Sequence, residues 1–228
     1  PLMTAYWLRP TNLVSLAVFL AYAAVFYRRS LPRFLALMAP PAILFGLVTY
    51  SVYGSPLAPY ASASRAAAHL GAHGEFWLAV AGNLFSPARG LFVFVPFLAL
   101  VPFGWRGNWA CGARRALHWA VLAVFAGNTV LVASFVDWWG GHCFGPRFYA
   151  DLSPMMIFLA VPLVQRIREG SRKLGAAALM AACFGFFVHW QGANSQPVLD
   201  WNVKPIEIRQ AVWRIWDWSD PPFLRGLR

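Results

Sequence analysis

Asp137-Trp138-Trp139-Gly140-Gly141-His142-Cys143-Phe144-Gly145-Pro146-Arg147-Phe148-Tyr149-Ala150-Asp151 interrupts two long apolar runs and concentrates what they lack: carboxylates, an arginine, a histidine, glycines and a proline. Its glycines open backbone conformations closed to other residues and let a ligand approach the main chain. Pro146 suits the first turn of a helix, and the apolar run after it has helical character. Arg147 then falls in that first turn, beside backbone N–H groups and the positive end of the helix dipole, where a phosphate is favoured. The plainer alternative is a turn at a membrane surface, with tryptophan anchors and one snorkelling arginine. Both readings set the stretch at a bilayer boundary, so the runs on either side decide the fold class.

Those runs belong to a chain that is 59% hydrophobic and only 12% charged. Soluble domains run to roughly 45–50% and 25%. The apolar residues come in blocks rather than at core-facing spacing, so the expected class is all-α: a polytopic transmembrane helical bundle of about six spans, with interfacial outer-loop helices. The runs are 12–27, 34–53, 91–103, 117–135, 152–164 and 174–188. A span needs about 20 apolar residues. The first and third are therefore short, and the third carries Pro96 and Pro102. Pro40 and Pro41 predict a kink in the second. The segment Phe76 to Leu84 is too short to span and reads as an interfacial or re-entrant piece.

The formal net charge of +11 does not point to nucleic acid, because no basic helix or aromatic-basic surface module accompanies it. The cations cluster between apolar runs: Arg28, Arg29 and Arg33; Arg106, Arg114 and Arg115; Arg166, Arg168, Arg172 and Lys173, with Glu169 as the one acid among them. That pattern assigns these loops to the cytoplasm. The outer loops 54–90 and 136–151 and a Trp-rich tail, 189–228, then share the opposite, extracytoplasmic face. Within the tail, Ile206 to Trp218 reads as a short amphipathic helix with Ile208, Val212, Ile215 and Trp216 on one side. The chain opens at Pro1 without a signal-peptide pattern and is expected to be the C-terminal part of a longer protein.

The candidate binding residues on the outer face are Arg147, Arg89, Tyr149, Asp137, His142, Asn83 and Tyr60, with Ser86 and Asp151 nearby. Arginine offers a planar fork of donors, so Arg147 and Arg89 suit a lipid phosphate headgroup. Arg89 has the alternative of an interfacial anchor. Asp137 has three: a base, a contact to a sugar hydroxyl, or a partner for Arg147. His142 stands alone without metal-ligand spacing. His69 and His73 are four apart, but Gly71 and Gly74 weaken any helix that would present them together. Cys111, Cys143 and Cys183 form no CxxC pattern and no disulfide framework. No metal site or cofactor is expected, although a divalent ion stays open. Ionisable residues are missing from mid-span positions and no internal repeat stands out, which counts against a coupled transporter.

Several pieces recur in a recognisable order: Tyr53-Gly54-Ser55-Pro56-Leu57 with Tyr60; Asn83-Leu84-Phe85-Ser86-Pro87-Ala88-Arg89-Gly90-Leu91 leading to Pro96; Trp139-Gly140-Gly141 with Gly145-Pro146-Arg147-Phe148; and Trp216-Asp217-Trp218. This ordered set resembles the C-terminal half of bacterial GT-C type membrane glycosyltransferases, the group similar to protein O-mannosyltransferases and the lipid A aminoarabinose transferase. The resemblance implies transfer of a sugar from a polyprenyl-phosphate donor to a periplasmic acceptor. It also implies a catalytic carboxylate in a first outer loop, upstream of this chain, so no residue here is assigned as catalytic. Arg147, Arg89 and Tyr149 are implied as donor-phosphate or pocket residues. The expected partners are a polyprenyl-phosphate-linked sugar and membrane lipid, with the acceptor unassigned. Two alternatives stand beside the enzyme: a non-catalytic lipid-linked-sugar binding or scaffold subunit, and a lipid-linked sugar transporter.

Overall fold

The structure is a computed structural model and describes residues 2–56, 74–105 and 113–227. Among the described residues it is helical, without strands. In chain order the α-helices are α1 Leu2–Leu8, α2 Leu13–Phe26, α3 Leu31–Tyr53, α4 Phe76–Phe85, α5 Leu91–Phe94, α6 Val101–Gly104, α7 Ala113–Ala133, α8 Ser153–Arg168, α9 Arg172–Asn194 and α10 Gln196–Asp200. Short 3-10 turns join or extend them at Pro10–Asn12, Pro96–Leu100, Arg147–Leu152, Val212–Trp216 and Pro222–Leu227.

Four segments among the described residues are long and apolar enough to cross a membrane: Leu31–Tyr53, Arg115–Ala133, Arg147–Arg168 and Arg172–Asn194. At 1.5 Å per residue a helix of this size reaches about 30 Å, the thickness of a hydrocarbon core. Their outward faces are apolar too, as Leu37 at 77% and Phe186 at 68% exposure illustrate. In water such faces would seek cover; a bilayer supplies it.

Two of the six expected spans come out differently. The run 12–27 gives only the 14-residue α2, or Pro10–Phe26 with its leading turn. That is shorter than a full crossing. The run 91–103 breaks into α5, the Pro96–Leu100 turn and α6. Pro96 and Pro102 withhold two backbone donors, and Val95 leaves helical geometry at φ −130°, ψ 64°. By contrast, α3 runs unbroken through Pro40 and Pro41 and ends at Gly54, whose φ of +67° supplies the left-handed cap.

The chain forms two compact units: Pro1–His73 with Ala110–Val136, and Gly74–Trp109 with Asp137–Arg228. In the first, α1 lies on α3 through Tyr6 and Trp7, whose rings sit 6.1 and 5.2 Å from that of Phe45. Helix α2 lies along α7, where a Cβ at Gly127 would come within 2.7 Å of the Val14 side chain. In the second, α6 packs on α8 so closely that a Cβ at Gly104 would meet the Leu163 backbone at 2.4 Å. The Pro96–Leu100 turn rests on α9, and Phe94, Val188 and Phe223 form a buried apolar centre there.

The tail leaves α9 only after Asn194, so the helix continues through His189 and Trp190. The amphipathic helix expected over Ile206 to Trp218 is absent. Turns occupy the region, and only Val212–Trp216 coils, as a 3-10 turn. Its apolar face survives, since Ile208 and Ile215 are fully buried. In place of a helical ladder, Ile206 offers its carbonyl to the Arg214 guanidinium at 2.5 Å.

Candidate functional site

The second unit brings together three stretches far apart in sequence. Helix α4 ends in a tight turn, where Ser86 Oγ accepts the Arg89 N–H at 3.1 Å and Ser86 O accepts the Gly90 N–H at 2.8 Å. A Cβ on Gly90 would sit 2.5 Å from that Ser86 carbonyl, so glycine is required at this close approach. The turn aims Arg89 inward, leaving it 1% exposed.

Four bonds hold its guanidinium. Nε donates to Trp139 O at 2.9 Å, Nη1 to Ala88 O at 3.0 Å, and Nη2 to Gly141 O at 3.1 Å and Asn202 Oδ1 at 2.6 Å. Asn202 in turn donates from Nδ2 to Cys143 O at 3.0 Å. Arg89 thereby ties the end of α4 to the loop 137–146 and to the tail. Its acceptors are uncharged carbonyl and amide oxygens, so its full positive charge stays within the cluster. Burial pulls the guanidinium below its ordinary pKa.

The expectation that Arg89 grips a lipid phosphate meets a side chain largely committed within the protein. A guanidinium with five N–H donors that spends four of them on protein acceptors has little left to offer a headgroup. Asn83 is likewise turned inward, donating to Ala79 O at 2.9 Å within its own helix. Tyr149 is buried at 1% exposure. Tyr60 lies outside the described residues, as do His69 and His73.

Arg147, Asp137 and His142 remain at the surface. Pro146 caps the Arg147–Leu152 turn, which runs into α8, so Arg147 stands at the start of a candidate span as expected. Its Nη1 approaches Gly140 O at 3.4 Å. Three successive carbonyls of the loop thus point alternately at two arginines, those of Trp139 and Gly141 at Arg89 and that of Gly140 at Arg147. Positive φ at Gly140 (79°) and Gly141 (68°) makes this alternation possible. Gly145, also at positive φ, lies so close to Phe94 that a Cβ would come within 2.6 Å of its ring. His142 Nε2 lies 3.2 Å from Glu207 Oε1, a second bridge from loop to tail. Asp137 is exposed, and its carbonyl accepts the Gly140 N–H at 2.9 Å.

Trp138 and Trp139, which the plainer reading made anchors at a membrane surface, are both buried. Trp138 packs against Gly82 of α4, where a Cβ would be 2.5 Å from its ring. Their indole N–H groups find no acceptor among the described residues. The indole N–H groups of Trp7 and Trp216 share this state, so it is not confined to the loop.

The tail residues Trp201, Asn202 and Arg214 escaped the sequence reading. Two guanidiniums approach the Trp201 ring, with Cζ of Arg214 4.5 Å and Cζ of Arg89 5.7 Å from its centroid. Arg214 Nη2 donates to Trp201 O at 2.9 Å and Lys204 O at 2.8 Å. The Trp201 indole donates to Asp220 O at 2.9 Å, and the Asp220 carboxylate pairs with Arg225. The one local signal for this assembly is the density of tryptophan and arginine in the tail; the pairing itself spans more than a hundred residues.

Among the described residues, no three His, Cys, Asp or Glu side chains gather as a metal site. No family model, curated protein or solved structure matches the chain.

Proposed function

We propose that this chain provides the donor-binding end of a multi-pass membrane glycosyltransferase, which takes a sugar from a polyprenyl-phosphate carrier at the periplasmic face of a bacterial inner membrane. The observation that supports it is the convergence of motifs. Asn83–Gly90, Trp139–Gly141 and Gly145–Phe148, which carry the resemblance, meet around one loop whose carbonyls are shared by Arg89 and Arg147. Arg89 builds the loop and adds an uncompensated charge. Arg147 stands at the surface where a candidate span begins, and this reading sets the lipid phosphate beside it. During transfer the departing lipid phosphate gains negative charge, and a fixed cation beside it stabilises that charge.

The test is binding of a synthetic polyprenyl-phosphate hexose to the intact protein in phosphatidylcholine nanodiscs. Saturable binding is expected, weakened about ten- to a hundredfold in Arg147→Ala, as the loss of a charge-assisted hydrogen bond implies. Arg147→Lys should restore part of it, since a point charge lacks the planar fork. Undiminished binding by a folded Arg147→Ala protein would overturn the reading.

A second reading, a lipid-linked-sugar binding subunit without transfer, draws on the commitments of the other candidates. Arg89 is spent on three backbone carbonyls and Asn202 Oδ1, Asn83 on Ala79 O, and His142 faces Glu207. Binding without release of the carrier phosphate in the presence of native membranes would select it.

A further inference from the structure

Helix α8 carries a second feature, away from the loop just described. A groove of about 440 Å³ runs between α8 and the segment around the Pro96–Leu100 turn. Leu98, Met156, Ala160 and Val164 line it, and Gln165 and Arg168 close one end. Met156, Ala160, Val164 and Arg168 recur every fourth residue and so follow one face of the helix. From Met156 to Arg168 that face is about 18 Å long at 1.5 Å per residue. A single leaflet's hydrocarbon is about 15 Å deep, half of a core of roughly 30 Å. The apolar length and the basic end therefore match one lipid chain and its headgroup.

Charge narrows the occupant. Arg168 is exposed at the last turn of α8, and Arg172 and Lys173 follow, with Glu169 the one carboxylate between them. Arg166 is turned away, donating from Nη1 to Phe103 O at 3.1 Å. A zwitterionic headgroup would bring its own cation against this cluster, whereas an anionic one brings only negative charge. We infer that the groove between α8 and the Pro96–Leu100 segment is a binding site for one acyl chain of an anionic glycerophospholipid, whose phosphate meets Arg168 and Gln165. The inference requires only that α8 crosses a bilayer and is independent of the glycosyltransferase reading.

The experiment reconstitutes the intact protein in nanodiscs of equal phosphatidylglycerol and phosphatidylcholine and counts retained lipids by native mass spectrometry. Phosphatidylglycerol should be retained about fivefold over phosphatidylcholine, the preference expected of one basic residue at an anionic surface. Arg168→Gln, a change at an exposed position, should bring the two near parity, and Arg168→Lys should keep most of the preference. Ala160→Phe, which fills the groove, should reduce retention of both lipids in protein that elutes as wild type. Parity in the wild type, or an unchanged preference in Arg168→Gln, would overturn the proposal. So would a preference that is lost in Arg172→Gln/Lys173→Gln but kept in Arg168→Gln, since it would belong to a diffuse basic surface.

Discussion

The two units of this chain solve the same problem in opposite ways. In the first, long helices satisfy their own backbone and meet through ring contacts such as Trp7 on Phe45, with side chains of α3 largely outward. In the second, helices break, loops turn inward, and buried arginines supply the hydrogen bonds that the broken backbone lacks. A chain inside the hydrocarbon core of a bilayer must satisfy every backbone group from within the protein, and so must any backbone buried from water. Regular helix does so without side-chain help. Irregular backbone needs dedicated donors, and Arg89 and Arg214 are those donors.

This contrast predicts where the molecule is fragile. Arg89→Ala strands the carbonyls of Ala88, Trp139 and Gly141, and buried acceptors left unmet cost roughly 1–3 kcal/mol each. A loss of about 3 kcal/mol or more is expected, read as a marked drop in Tm in detergent, with only partial recovery in Arg89→Lys. The equivalent truncation in the first unit, Leu37→Ala at an outward position, should move Tm little. Equal sensitivity at the two positions would dissolve the comparison.

Glycine substitutions sharpen it at smaller scale. Gly104→Ala drives a methyl to 2.4 Å from the Leu163 backbone, which cannot swing aside, and should destabilise by about 1–3 kcal/mol. Gly46→Ala in α3 meets nothing within 4 Å and should stabilise by roughly 0.5–1 kcal/mol through helix propensity. The same substitution thus acquires opposite signs at these two positions, and paired melting curves measure it.

The smallest effect concerns the exposed end of the tail. Asp217 is held below the usual carboxylate range by the Ser219 hydroxyl first and its backbone N–H second. A carboxylate depressed in the folded state stabilises above its ordinary value near 4 and loses that contribution as pH falls through the lower, folded value. Ser219→Ala should raise the Asp217 pKa toward the ordinary value, which carboxyl NMR would detect, and should leave stability at neutral pH nearly unchanged.

Particular residues show how much of this was legible. The runs that became α3, α7, α8 and α9 announced themselves, since the length of an apolar block is a local property and a bilayer reads it directly. Pro96 and Pro102 warned that the run 91–103 was weak, but not that it would divide into separate short helices. The candidate site was legible as a set of motifs and illegible as an arrangement. Arg89 and Arg147 looked equivalent in the sequence, two arginines beside glycines and prolines. One is buried and builds the loop; the other stays at its surface. Asn202, which receives the Arg89 fork across more than a hundred residues, carried no local mark at all.

The chain's composition and block pattern were enough to establish an all-helical protein with several segments able to cross a membrane, because hydropathy and proline act through the segment that bears them. The fate of each charged side chain depended on the folded arrangement. Whether a guanidinium meets water, a lipid phosphate or a buried carbonyl is set by which distant backbone arrives beside it. For Arg89 that backbone is the glycine loop fifty residues away.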